Sequence, residues 1–106
     1  MEAALKAIAE PRRRQILTLV RDGELSAGEI AAHFDVSRPA VSQHLAILKE
    51  AGLLDERRNG TRRLYRARPE GFADVRTFLD EFWGERLQAL KHEAQREEGK
   101  RHARNN

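Results

Sequence analysis

The sequence predicts a mainly α-helical winged helix-turn-helix with about five helices and a two-stranded β-hairpin wing. Three observations carry that reading. A short helix opens on a Ser-x-x-Glu capping pattern, and after a turn of about three residues a second helix opens on its own serine. Directly behind it, two strand-like runs flank Asn59-Gly60, the strongest short hairpin signal. A long helix with a broad apolar stripe then closes the fold.

Each element has its own signal. From Glu2 to about Glu10, Ala4, Leu5 and Ile8 recur at helical spacing and give a short first helix. Pro11 starts the second, because a first-turn residue has no N–H partner to lose; Ile16, Leu17 and Val20 form its apolar side and Gly23 stops it. Ser26 and Glu29 cap the third, about two to three turns long, with Ile30, Ala31 and Phe34 facing inward. Ser37 caps the fourth, with Pro39 in its first turn. Val41, Leu45, Leu48 and Gly52 share its inner stripe, and Pro39, Gln43, Ala46 and Glu50 lie opposite. Gly52 ends it in a left-handed cap, after which Leu53 to Arg58 and Arg62 to Ala67 are the strands. From Phe72 the last helix carries Phe72, Val75, Leu79, Phe82, Trp83, Leu87 and Leu90. Beyond Gln95 the composition turns polar, so residues 1–94 are expected to form one domain and 95–106 a charged tail without fixed structure.

Composition narrows the function. A chain of 106 residues has room for one core, which disfavours a multidomain enzyme. No run approaches the roughly 18 apolar residues of a membrane span, and no signal-peptide pattern opens the chain, so the cytoplasm is the expected location. With no cysteine, thiolate metal sites and cysteine nucleophiles are excluded. The net charge is +3, but residues 37–68 hold 8 basic and 3 acidic side chains, while the segments on either side are slightly acidic. The cationic excess therefore coincides with the fourth helix and the hairpin, and marks a face for a polyanion. A helix with a polar outer face and the compact start Ser37-Arg38-Pro39-Ala40 fits the major groove of DNA.

Ser37-Arg38-Pro39-Ala40-Val41-Ser42-Gln43-His44-Leu45, running on through Leu48-Lys49-Glu50-Ala51-Gly52-Leu53-Leu54, resembles the recognition-helix signature of the ArsR-type winged helix-turn-helix transcriptional regulators. The resemblance extends from about Leu5 to about Leu90 and takes in Leu64-Tyr65, Phe82-Trp83 and Arg86-Leu87. It implies a prokaryotic, homodimeric DNA-binding regulator, usually a repressor whose operator affinity an effector lowers. An inverted-repeat operator and an unknown small-molecule effector are the corresponding partners.

Taken singly, Gln43 is the candidate base reader, since its amide can pair with adenine through two hydrogen bonds. Ser42 and Ala40 border the same face, for a phosphate or base edge and for a thymine methyl, while Ser37 and Arg38 open the helix beside the backbone. His44 lies between the apolar stripe and the groove face, where it can pack or donate to phosphate. Arg57, Arg58, Arg62 and Arg63 flank the Asn59-Gly60-Thr61 tip, and strand alternation sends some to each face, with two or more reaching DNA. For dimerisation the candidates are Leu5 and Ile8 of the first helix with Val75, Leu79, Phe82, Trp83, Leu87 and Leu90 of the last, an apolar surplus too large for so small a body.

No metal site and no cofactor are expected. Metal-sensing members of the resembled family carry a cysteine pair after Glu-Leu, whereas Glu24-Leu25 here precedes Ser26-Ala27-Gly28. Their other site places an aspartate two residues before a histidine, and here Asp80 precedes Phe82. His92, Glu93 and Glu97 are the residual zinc-capable set, of a kind common at hydrophilic helix ends. No phosphate-binding Gly loop, G-x-S-x-G or H-E-x-x-H motif supports an enzyme. The rival reading is a winged helix used for protein or RNA contact, which an acidic or apolar outer face on the fourth helix would favour.

Overall fold

Helix ends are where the sequence dictates structure most locally. In the computed structural model, which describes residues 1–105 apart from the side chains at 85, 87, 88 and 97–105, nearly every cap lies where its residues place it. Helix α1 spans Glu2–Ile8 and α2 spans Pro11–Leu19. The Glu10 carboxylate accepts the Arg13 N–H at 3.1 Å and caps α2 ahead of Pro11. A two-residue strand β1, Leu25–Ser26, precedes α3, Ala27–Ala31. The reciprocal box forms: Ser26 Oγ accepts the Glu29 N–H at 3.2 Å, and a Glu29 carboxylate oxygen accepts the Ser26 N–H at 3.0 Å. Helix α4 spans Arg38–Glu50, with Ser37 Oγ accepting the Ala40 N–H at 3.3 Å. Strands β2, Leu54–Asn59, and β3, Arg62–Ala67, follow, then a 3₁₀ turn at Pro69–Phe72 and α5, Ala73–Asn105.

Several sequence expectations are revised. The sheet has three strands, antiparallel in the order β1-β3-β2, because Leu25 and Ser26 pair with Tyr65 and Leu64. Helix α2 ends at Leu19, before Gly23, and α3 is five residues long. The hairpin loop is Gly60-Thr61 rather than Asn59-Gly60, since Asn59 still pairs with Arg62. Gly60 has φ +67° and no non-glycine residue among those described has positive φ, which fits a type II′ turn with glycine first. Helix α5 is broken at Gly84 (φ 14°, ψ −100°), so the last element is not one continuous rod. Helical backbone continues through 95–105, where composition alone suggests an irregular tail; alanine, glutamate, lysine, arginine and glutamine are strong helix formers.

Two units divide the chain, residues 1–75 and 76–106. The first holds the core: Ala4 and Ala7 of α1, Ile16 and Val20 of α2, Ile30 of α3, Val41, Leu45 and Leu48 of α4, with Leu53, Leu54, Tyr65 and Val75. The stripe on α4 is therefore pinned inward from three sides. Hydrogen bonds from Ala67 N to Val20 O and from Arg68 N to Leu53 O join the sheet to the ends of α2 and α4.

Where the chain leaves α4, Gly52 takes φ +78°, and Gly71 packs so close that a Cβ there would lie 2.1 Å from the Gly52 carbonyl oxygen. Backbone against backbone cannot relax by a rotamer change. Gly71→Ala is therefore expected to destabilise the domain by about 1–3 kcal/mol, read as a lower denaturant midpoint with an unchanged slope. An unchanged midpoint would show that this crossing is loose.

Candidate nucleic-acid interface

With Val41, Leu45 and Leu48 fully buried, helical geometry leaves the other side of α4 to solvent. Ser37, Arg38, Pro39, Ser42, Gln43, Ala46 and Glu50 are all exposed, and Ala40 and His44 are half-buried at the flank. The expected reader Gln43 thus stands clear of the body on the helix that follows the turn. Lys49 at the far end bonds to Glu56 of β2 at 3.1 Å and ties α4 to the wing.

The wing arginines separate into two kinds. Arg57 is not turned to the solvent tip: its Nε and Nη2 each donate to the Glu24 carboxylate at 2.9 Å, a two-pronged bond that fastens β2 to the residue preceding β1. Hydrogen bonding from Arg57 holds the Glu24 carboxyl below its ordinary value, so the pair stands at neutral pH and is lost only as pH falls through the carboxylate range. Arg62 pairs with Glu29, whose carboxyl is likewise lowered, first by its bonds with Ser26 and then by Arg62. Arg63 lies 3.6 Å from Glu56. Among the described residues Arg58 has no carboxylate within 4 Å.

Register explains what Arg58 can do. Arg58 lies directly opposite Arg63, and Asn59 opposite Arg62. Like charges facing each other across a ladder are mutually unfavourable, and an anion between them removes the conflict. Leu54, Glu56 and Arg58 share a sheet face with Arg63, Tyr65 and Ala67. Burial first, then the nearby Glu56 carboxylate, pushes the Tyr65 phenol up, so it stays a protonated donor.

Between α4 and the wing runs an open cleft of about 500 Å³. Arg38 and Ser42 line one side, Thr61, Arg62, Arg63 and Tyr65 the other, and Ser26 to Gly28 the base. Gly28 matters here because a Cβ would come 3.3 Å from Arg38 Nη1, so the bare backbone lets the guanidinium lie against α3. Of the expected DNA-facing residues, the cleft gathers Arg38, Ser42, Arg62 and Arg63; Gln43 and Arg58 are exposed outside it, and Arg57 is bound to Glu24. Gly28, Thr61, Tyr65 and the carboxylates Glu24, Glu29 and Glu56 were not among the site residues expected from the sequence. Only Glu29 carried a local signal, and that was for helix capping.

The apolar candidates also divide. Val75 is 9% exposed within the core and so leaves the set available to a second chain, and Ile8 packs half-buried against that core. Leu5 remains 40% exposed. On α5, Leu79, Trp83, Phe82 and Leu90 are exposed, Phe82 to 69%. Phe78 stacks on Phe82 at 6.0 Å between ring centres, and Phe82 meets Trp83 edge-on at 5.2 Å. The Leu87 and Glu97 side chains lie outside the described residues. Among the described residues no three His, Asp or Glu side chains gather as metal ligands, and Asp80 lies 3.9 Å from Arg76. Nor is any described helix long and apolar enough to cross a membrane.

Known proteins share this arrangement. Residues 10–56 match the arsR family of bacterial regulatory proteins. The HTH-type transcriptional regulator Rv2034 of Mycobacterium tuberculosis is 49% identical over 82 residues, 77% of each chain. The transcriptional repressor SdpR of Bacillus subtilis is 47% identical over 60 residues, covering 57% of this chain and 67% of that protein. A crystal structure of a possible transcriptional regulator for arsenical resistance superposes with a TM-score of 0.69 at 43% identity, covering 85% of this chain and 94% of that one. With nearly half its residues identical to such a regulator over three quarters of its length, and with a winged helix-turn-helix displaying its polar helix face, the chain belongs to the ArsR family of bacterial DNA-binding transcriptional regulators and not to a class of enzymes.

Proposed function

We propose that the protein is a homodimeric repressor that binds an inverted-repeat operator in double-stranded DNA, α4 reading bases in the major groove and the wing holding the backbone, without a metal effector. The observation that carries this reading is the exposed Ser42-Gln43 face of α4 beside a cleft walled by Arg38, Arg62 and Arg63. Repression is supported by the relative named as a repressor. Dimerisation is supported by the exposed aromatic run on α5 and by half-site geometry, since one recognition helix spans only part of an operator. Independence from thiophilic metals is supported by a sequence without cysteine. Without a metal, binding is regulated by a small ligand, by the protein's own abundance, or not at all.

Reading and holding separate by mutation. Gln43→Ala is expected to cost about 1–3 kcal/mol on the operator and to relax preference at one position per half-site, with random DNA bound as before. Arg58→Ala is expected to weaken operator and random DNA alike, and Arg57→Ala much less than Arg58→Ala because Glu24 already occupies that guanidinium. Titrating labelled operator and random duplexes measures all three. Equal losses on both duplexes for Gln43→Ala would refute base reading by α4.

A further inference from the structure

Arg13 sits in the first turn of α2 but spends its side chain outside that helix. Its Nε donates to the Ala7 carbonyl at 2.6 Å and its Nη2 to the Lys6 carbonyl at 3.2 Å, both in the last turn of α1. The remaining nitrogen, Nη1, stands 3.3 Å from Nδ1 of His44 on α4. A guanidinium donates at every nitrogen and accepts at none. The contact therefore requires a lone pair on Nδ1, which puts the proton of the neutral imidazole on Nε2.

We infer that Arg13 is a positioning residue for DNA binding: it locks His44 in the Nε2–H tautomer and so fixes the donor that α4 offers to a backbone phosphate. The inference rests on the reading of α4 as the DNA-facing helix. Two anchors on a helix end keep the guanidinium from rotating, so Nδ1 meets a donor in one fixed place. The two imidazole nitrogens lie on different edges of the ring, and holding Nδ1 against α2 turns the Nε2 edge away from it. His44 is half-buried at the flank of α4, next to the exposed Gln43, and a flank position on a groove-bound helix is where backbone phosphates pass. Without the lock the ring divides between two tautomers and several rotations, and only a part of the population presents the donor.

Histidine-selective nitrogen NMR on the free, full-length protein near neutral pH reads the tautomer directly. The expected spectrum has an unprotonated Nδ1 and a protonated Nε2 at His44, and Arg13→Lys is expected to average the two. An Nδ1–H tautomer in the unaltered protein, or a spectrum that Arg13→Lys leaves unchanged, would overturn the inference. Binding to labelled operator supplies the second readout. Arg13→Lys and His44→Ala are each expected to lose about tenfold in affinity, the scale of one hydrogen bond to a charged group. His44→Gln places an amide N–H near the Nε2 position and needs no acceptor at Nδ1, so adding it to Arg13→Lys is expected to restore affinity. Failure to restore would show that Arg13 acts by general packing and would overturn the positioning role. Full affinity in His44→Ala with a loss in Gln43→Ala removes that role and leaves the α4 reading standing. Full affinity in both removes the α4 reading and the role together.

Discussion

On the proposed dimer, Phe82→Glu is expected to give a folded monomer and to lower operator affinity by about 10²–10⁴-fold, the usual gain from joining two binding modules. The reasoning starts from exposure. Phe82 is 69% exposed and touches Phe78 and Trp83 of its own helix, so a charge there removes little from the protomer. In a twofold interface the same patch meets itself, and the two glutamates both desolvate and repel. Each lost phenylalanine also forfeits about 1.5–3 kcal/mol of burial. Light scattering gives the mass, circular dichroism the fold, and titration of labelled operator the affinity. A folded monomer binding operator with full affinity would refute the dimer argument.

Raising salt from about 50 to about 200 mM is expected to weaken operator binding about 1,000-fold, with a log–log slope near −5. That slope corresponds to about six neutralised phosphates per dimer. The number follows from the pairing of the cations: among the described residues of segment 37–68, Arg38, Arg58 and Arg66 have no carboxylate within 4 Å, whereas Arg57 is held by Glu24, Lys49 by Glu56 and Arg62 by Glu29, and Arg63 and Arg68 lie within 4 Å of Glu56 and Asp55. Counting all eight basic residues of segment 37–68 would give a slope more than twice as steep. Affinity unaffected by salt would contradict the backbone role of the wing. A slope near −14 would show that DNA breaks the intramolecular pairs.

How much of this was legible in the sequence depends on the distance over which each feature is decided. The starts of α2, α3 and α4 were readable because Pro11, the Ser26–Glu29 box and Ser37 with Pro39 act within one turn. The solvent-facing side of α4 was readable because Val41, Leu45 and Leu48 leave no other orientation. Strand β1 was not, since two residues show no period and exist as a strand only because β3 supplies the edge. The Gly60-Thr61 loop differs from the Asn-Gly expectation by one position of register, which both strands settle together. Arg57–Glu24 and Arg62–Glu29 join residues 33 apart, and no local pattern announces them. The break at Gly84 had its signal in the glycine itself, hidden by an apolar period that runs past it. Val75 belongs to the same stripe as Phe82, yet one lies in the core and the other in solvent; periodicity marks a stripe and not what covers it.

The claim beneath all of these expectations is that two copies of α4 read DNA together. Selection of bound duplexes from a random-sequence pool by the unaltered protein tests it whatever the operator sequence is. The expected result is enrichment of an inverted repeat whose half-site centres are separated by about 10 base pairs, or a multiple of one helical turn, with the repeat lost from the pool selected by Gln43→Ala. Enrichment of nothing, or of a single motif without twofold symmetry, would contradict it.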